Sequence, residues 1–142
     1  MDHKLKLMVV DDSPLFRTWL IRSLSEDDRF QVVGYAVNAL DAQEKIPLLQ
    51  PDMLTLDIEM PGMSGIDFLK QLLPVHPIPV ILVSSLNLRV FDALEAGAVD
   101  FVRKPDEANG LSKEIFLSML RSKLMVAAAS HVHLPSAPAD PQ

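Results

Sequence analysis

The chain has no cysteine, so disulfides, thiolate zinc sites and cysteine nucleophiles are excluded outright. It has no block of lysines or arginines, and 19 acids against 13 bases leave a formal net charge of −6. That balance argues against nucleic acid or an anionic membrane as the primary partner. No apolar run approaches the ~18 residues of a membrane span, and the opening Met1-Asp2-His3-Lys4 carries no signal-peptide core. A soluble, cytoplasmic protein is the expectation. Internal repeats are absent apart from one recurring β–α unit. What is present is a chain of 142 residues with 49% hydrophobic content, enough for a two- or three-layer core.

Four short apolar runs stop on a side chain that carries oxygen or an amine. LKLMVV leads into Asp11-Asp12-Ser13, DMLTL into Asp57, VILV into Ser84-Ser85, and DFV into Arg103-Lys104-Pro105. Their length and aliphatic filling predict buried parallel strands over 5–10, 52–56, 80–83 and 99–102, with a further strand over 31–36. Ser13 followed by Pro14 predicts the start of a first helix, with Phe16, Leu20 and Leu24 inward. A second helix begins after Asn38 and carries Leu40, Ala42 and Ile46, and Pro47 should kink it or end it early. Ser64 caps a third, with Ile66, Leu69, Leu72 and Leu73 inward. A short fourth covers 88–96 and is closed by Gly97. A long fifth runs from 111 to about 128. Each crossover contains a helix, so neighbouring strands are parallel with right-handed connections. From His131 onward, prolines and small residues without periodicity predict a tail.

In an open parallel sheet, ligand chemistry gathers beyond the carboxyl ends of the strands. Asp11, Asp12, Asp57, Ser84 and Lys104 should therefore meet at one edge. Like charges held close are unfavourable without a cation among them. Hard oxygen donors suit magnesium, which retains several waters, and the backbone carbonyl of Glu59 could supply a further ligand. Lys104 and Ser84 would complete a clamp around a phosphoryl group, with Asp57 as nucleophile and an acyl phosphate as product.

Taken together, VVDDSPLFR, LTLDIEMPGMSGIDFL, VILVSS and GAVDFVRKP resemble the receiver domain of two-component response regulators, over 5–128. The resemblance implies an α/β, flavodoxin-like (βα)5 three-layer sandwich with a parallel five-stranded sheet in order 2-1-3-4-5. Residues 1–129 would form the receiver, with 130–142 as a flexible tail or truncated linker. Asp57 would take phosphate from a phosphohistidine on a partner kinase. Asp12, Asp57 and the Glu59 carbonyl would hold magnesium directly, and Asp11 through water. Ser84 and Lys104 would contact the phosphoryl group, and Phe101 would be the aromatic switch that turns inward as Ser84 moves. Glu59 and Leu86 would flank the path of the hydrolytic water. The resemblance also implies a cis peptide before Pro105.

Within the family, DIEMPGMSGIDFL, VSSL and GAVDFVRKP are similar to the receiver of the chemotaxis methylesterase. An esterase domain would follow a linker. This chain has no G-x-S-x-G elbow, and His131 and His133 fall in the expected tail. The expected function is a phosphorylation-dependent response regulator in a two-component, chemotaxis-type pathway. It would signal to a downstream protein or fused effector domain and have no esterase activity of its own. The alternative is the regulatory fragment of a methylesterase whose catalytic domain lies outside this chain. A flavin-phosphate binder on the same fold is disfavoured, because acids in the first loop would repel phosphate. The interval from Ser84 to Gly97 is short for a receiver, so the helix 4–strand 5–helix 5 output face is expected to be altered. Helix 5 carries Leu111, Ile115, Phe116, Leu117, Met119, Leu120, Leu124 and Met125, either a generous core face or a docking surface for a partner or second copy.

Overall fold

The computed structural model describes residues 4–85, 90–106, 108 and 110–133. Five strands and five helices alternate through it: β1 (Leu5–Val10), α1 (Pro14–Ser25), β2 (Phe30–Ala36), α2 (Ala39–Leu49), β3 (Met53–Leu56), α3 (Gly65–Leu72), β4 (Val80–Ser84), α4 (Val90–Glu95), β5 (Asp100–Arg103) and α5 (Lys113–His133). The strands form one sheet in the order β2-β1-β3-β4-β5, with every neighbouring pair parallel.

Successive side chains of a strand point to opposite faces, and here each face has its own core. Met8, Val10, Leu54, Leu56, Val80 and Leu82 pack with residues of α2, α3 and α4. Leu7, Val9, Met53, Ile81, Val83 and Val102 pack with residues of α1 and α5. Helices on both faces explain why β1, β3 and β4 read as continuous apolar runs instead of alternating ones.

Side chains close the helix starts as expected. Ser13 accepts from the Phe16 N–H, Asn38 from Asp41 and Ser64 from Asp67, each satisfying an otherwise orphaned donor. In α2 and α3 some details differ from the sequence reading. Pro47 does not end α2, which continues to Leu49 and closes at Gln50 with φ 49°. A proline this near the end removes one ladder bond in a turn that is already closing. In the same helix Ala39, Ala42 and Ile46 face the core, while Leu40 is exposed. In α3, Phe68 joins Ile66, Leu69 and Leu72 in the core, whereas Leu73 is partly buried.

Helix α5 carries on to His133, past the expected end near 128, and so includes His131 and His133. Its inward stripe is Phe116, Leu120, Leu124, Ala127 and Ala128, with Leu117 and Met125 packed against that core. Ile115 and Met119 are exposed, and Leu111 precedes the helix in a bridge with Asp106. The first residues expected of helix 4 lie outside the described residues, as does Leu86. Gly97, which follows α4, has φ 117°, the left-handed conformation expected of a glycine at a helix end.

Candidate acidic phosphoryl-transfer site

Parallel strands end in the same direction, so the loops after β1, β3, β4 and β5 converge. Their register sets the spacing: Val10 pairs with Leu56, and Ser84 with Arg103. Asp11 and Asp57 each lie one residue beyond a paired position. The Asp57 N–H donates to the Val10 carbonyl at 3.0 Å, tying the two loops together. Asp11, Asp12 and Asp57 each offer a carboxylate oxygen, and these oxygens lie within 4.8 Å of one another. Asp11 and Asp57 are buried, whereas Asp12 is exposed.

Lys104 reaches into this group. Its Nζ lies 2.9 Å from Asp11 Oδ2 and 3.3 Å from Asp57 Oδ2. Its backbone N–H donates to the Ser84 carbonyl at 2.9 Å, so β4 anchors the lysine while its side chain crosses to β1 and β3. Ser84 itself is only 1% exposed. The peptide before Pro105 is trans, contrary to the cis bond expected, since no cis peptide occurs among the described residues. Trans is the lower-energy isomer by roughly 0.5–1 kcal/mol, and Lys104 meets both carboxylates with it in place.

Burial pushes the Asp57 carboxyl up from its ordinary 3.8 to about 6; the Lys104 ammonium pulls it down and Asp11 pushes it up again. The Glu59 N–H donates to Asp57 Oδ1 at 3.1 Å and also favours the charged form. Asp11 is held from two sides. Its Oδ1 accepts from the Ser13 N–H at 2.8 Å, and its carbonyl accepts from Arg17 Nη1 at 2.8 Å.

The donors fit a small hard cation. All three side-chain donors are carboxylates, two are buried, and the third, Asp12, lines an open cleft with Ile58, Glu59, Met60, Pro61 and Ser64. Such a set leaves coordination positions for water and for a phosphoryl oxygen.

Asp11, Asp12, Asp57, Glu59, Ser84 and Lys104 thus gather at one sheet edge. Phe101 stands apart on β5, paired with Leu82 and partly buried against the α2–α3–α4 core. Three supporting residues were not visible as such in the sequence. Phe16, read there as core, also lies under Lys104, with Nζ 4.5 Å from the ring centroid. Arg17 braces Asp11. Gly65 seats α3 against the loop, because a Cβ there would meet the Asp57 carbonyl oxygen at 2.6 Å. The glycine after Ser64 was the only sequence signal for this last contact.

A parallel 2-1-3-4-5 sheet with clustered aspartates and a lysine at the strand ends defines a class of protein. The chain belongs to the response regulator receiver domain family, whose model matches residues 7–116. Within that family it is similar, among others, to protein-glutamate methylesterases. It is 46% identical over 130 residues to "Protein-glutamate methylesterase/protein-glutamine glutaminase 2" of Syntrophomonas wolfei, covering 92% of this chain and 38% of that protein. The protein of the same name from Vibrio vulnificus is 43% identical over 136 residues, covering 93% and 39%. The chain therefore spans about two-fifths of the length of these relatives.

Among solved structures, the response regulator domain of Thermotoga maritima CheB superposes with a TM-score of 0.79 at 35% identity, covering 98% of this chain and 100% of that one. A chain from the complex of the P1 domain of CheA3 with CheY6 of R. sphaeroides gives a TM-score of 0.72 at 28% identity, covering 88% and 97%. Among the described residues, no helix is long and apolar enough to cross a membrane.

Proposed function

We propose that this receiver domain accepts a phosphoryl group on Asp57 from a phosphohistidine of a partner kinase and works as a phosphorylation-dependent switch. One observation carries the reading: Lys104 Nζ lies between the Asp11 and Asp57 carboxylates, with Asp12 completing the acidic group. In the transfer an Asp57 carboxylate oxygen attacks phosphorus. The P–N bond to the histidine breaks, the histidine nitrogen keeps the electron pair, and an acyl phosphate forms. Lys104 turns from its carboxylates to the incoming phosphoryl oxygens, and the Ser84 hydroxyl hydrogen-bonds one of them.

Asp12, Asp57 and the Glu59 carbonyl would hold magnesium, with Asp11 acting through water. When bound, magnesium neutralises charge on the acids and on the transferred group. Glu59 flanks the path of hydrolytic water. The phosphorylated site favours the arrangement in which Ser84 and Lys104 close on it, and Phe101 moves into the space that Ser84 leaves. The helix 4–strand 5–helix 5 surface, where Phe91, Ile115 and Met119 are exposed, then presents the output to a downstream protein, a fused effector domain or a second copy. The methylesterase relatives support a chemotaxis-type pathway in the cytoplasm, with output to an esterase domain as the fused-effector case. The likeness to a chain solved in complex with a CheA3 P1 domain supports a kinase as donor.

Intact mass after treatment with acetyl phosphate and magnesium tests the reading. The parent should gain one phosphoryl group, whereas Asp57→Asn, or the parent with a chelator, should gain none. Modification of Asp57→Asn to the parent's extent would overturn the assignment. Phe101→Ala should be modified yet fail to signal. Lys104→Arg should impair output, since a planar fork does not replace a compact ammonium.

A further inference from the structure

β5 is an edge strand, and the groups facing out from such an edge need partners other than a neighbouring strand. At Phe101 the chain supplies them from two side chains. The Phe101 N–H donates to Asp100 Oδ1 at 2.8 Å, and the Phe101 carbonyl accepts from Lys123 Nζ at 2.8 Å. Lys123 Nζ also donates to that same Asp100 Oδ1 at 3.0 Å. The ammonium lies 5.5 Å from the centroid of the Phe101 ring, within the range at which a cation is attracted to an aromatic face.

Lys123 thus engages the carbonyl, the neighbouring carboxylate and the ring of one residue. Among the described residues its hydrogen-bond and ion-pair partners lie on β5, outside the acidic site, while its own backbone belongs to α5. A lysine placed only to keep α5 soluble would extend into water and leave β5 alone.

We infer that Lys123 is a positioning residue for Phe101, a clamp that holds the ring in its partly buried resting position and so sets how readily the domain switches. This rests on the proposed role of the domain as a phospho-accepting switch. Inward movement of the ring takes it away from the ammonium, so the cation–aromatic attraction favours the resting arrangement alone. Removing the clamp raises the population of the other arrangement. A phosphodonor that reacts with that arrangement then reacts faster.

The test uses the full chain labelled with fluorophenylalanine, with the Phe101 signal assigned by its loss in Phe101→Leu. Lys123→Met keeps the apolar stem and removes the charge. It should move the Phe101 fluorine resonance toward its position in the phosphorylated parent. It should also raise the rate of phosphorylation by acetyl phosphate roughly three- to fivefold, the scale of a partly exposed ion pair. Asp100→Asn should act in the same direction, and Lys123→Arg should return both readouts toward the parent. An unchanged resonance and rate in both Lys123→Met and Asp100→Asn, or a slower reaction, would overturn the clamp. If the parent takes up no phosphoryl group, the proposed function fails. The resonance of metal-free Lys123→Met then decides the clamp alone: a shift supports it, and no shift overturns it.

Discussion

Two aspartates in this protein face cations and respond in opposite ways. Asp27, in the turn after α1, meets Arg29 at 2.7 Å and Arg121 at 3.5 Å. Hydrogen bonding from Arg29 outweighs burial there and lowers its carboxyl to about 2. Asp57 also has a cation, Lys104, at 3.3 Å, yet its carboxyl is raised to about 6 because burial and the charge of Asp11 outweigh the lysine. Proximity to a cation does not by itself stabilise a carboxylate. What decides is whether the partner replaces the lost water and whether a second acid shares it. Asp27 serves the fold, whereas Asp57 works against it and leaves the site short of positive charge.

With Asp57 raised from 3.8 to about 6, the native state keeps a proton that the unfolded chain releases. In metal-free buffer that contribution to stability is full below pH 3.8 and lost as pH rises through about 6. Asp27 runs the other way. Its contribution is present above pH 3.8 and lost as pH falls through about 2.

The largest effect should come from Lys104→Met, which leaves two buried carboxylates without their shared counter-charge. Chemical denaturation at pH 7 in chelator should show a loss of about 3 kcal/mol, and millimolar magnesium should restore part of it. No loss, or no restoration, would break the contrast. Next is Asp57→Asn, which should stabilise the metal-free protein at pH 7 by about 1–2 kcal/mol, discounted for partial solvent access. That gain should vanish below pH 4, and a loss of stability at pH 7 would show that burial and the Asp11 charge do not disfavour the Asp57 carboxylate. Asp27→Asn should cost about 1 kcal/mol at pH 7 after screening, with the difference closing near pH 2 in an acid titration of the unfolding midpoint. The smallest effect is expected from Arg29→Ala. Its midpoint should shift by less than that of Asp27→Asn, because Arg121 remains beside the carboxylate.

Much of the fold was legible because the signals for it are local. The span of β1 matched residue for residue, and the other strands matched within one or two residues at either end. Aliphatic runs bounded by turn residues are hard to read otherwise. Errors fell where a weak local rule met a packing constraint. Pro47 was tolerated near a helix end, Leu40 gave way to Ala39 at the core, and α5 outran the change in composition. In the site, the convergence of Asp11, Asp12, Asp57, Ser84 and Lys104 was readable from strand ends alone. The brace from Arg17, the ring of Phe16 under Lys104 and the seat of Gly65 were not, because each depends on a side-chain direction or a close approach between separate elements.

By itself the sequence determined which elements form, that they run parallel, and which chemical groups arrive at the carboxyl edge. Strand period, helix caps and crossover length act over a few residues, and the chain carries them wherever it goes. Only the tertiary structure decided that one ammonium lies between two carboxylates, reaching from residue 104 to residue 57 across 47 positions of chain, and that a lysine on α5 holds the backbone of Phe101. Those distances come from sheet register and from rotamers chosen by packing, which no local stretch of sequence contains.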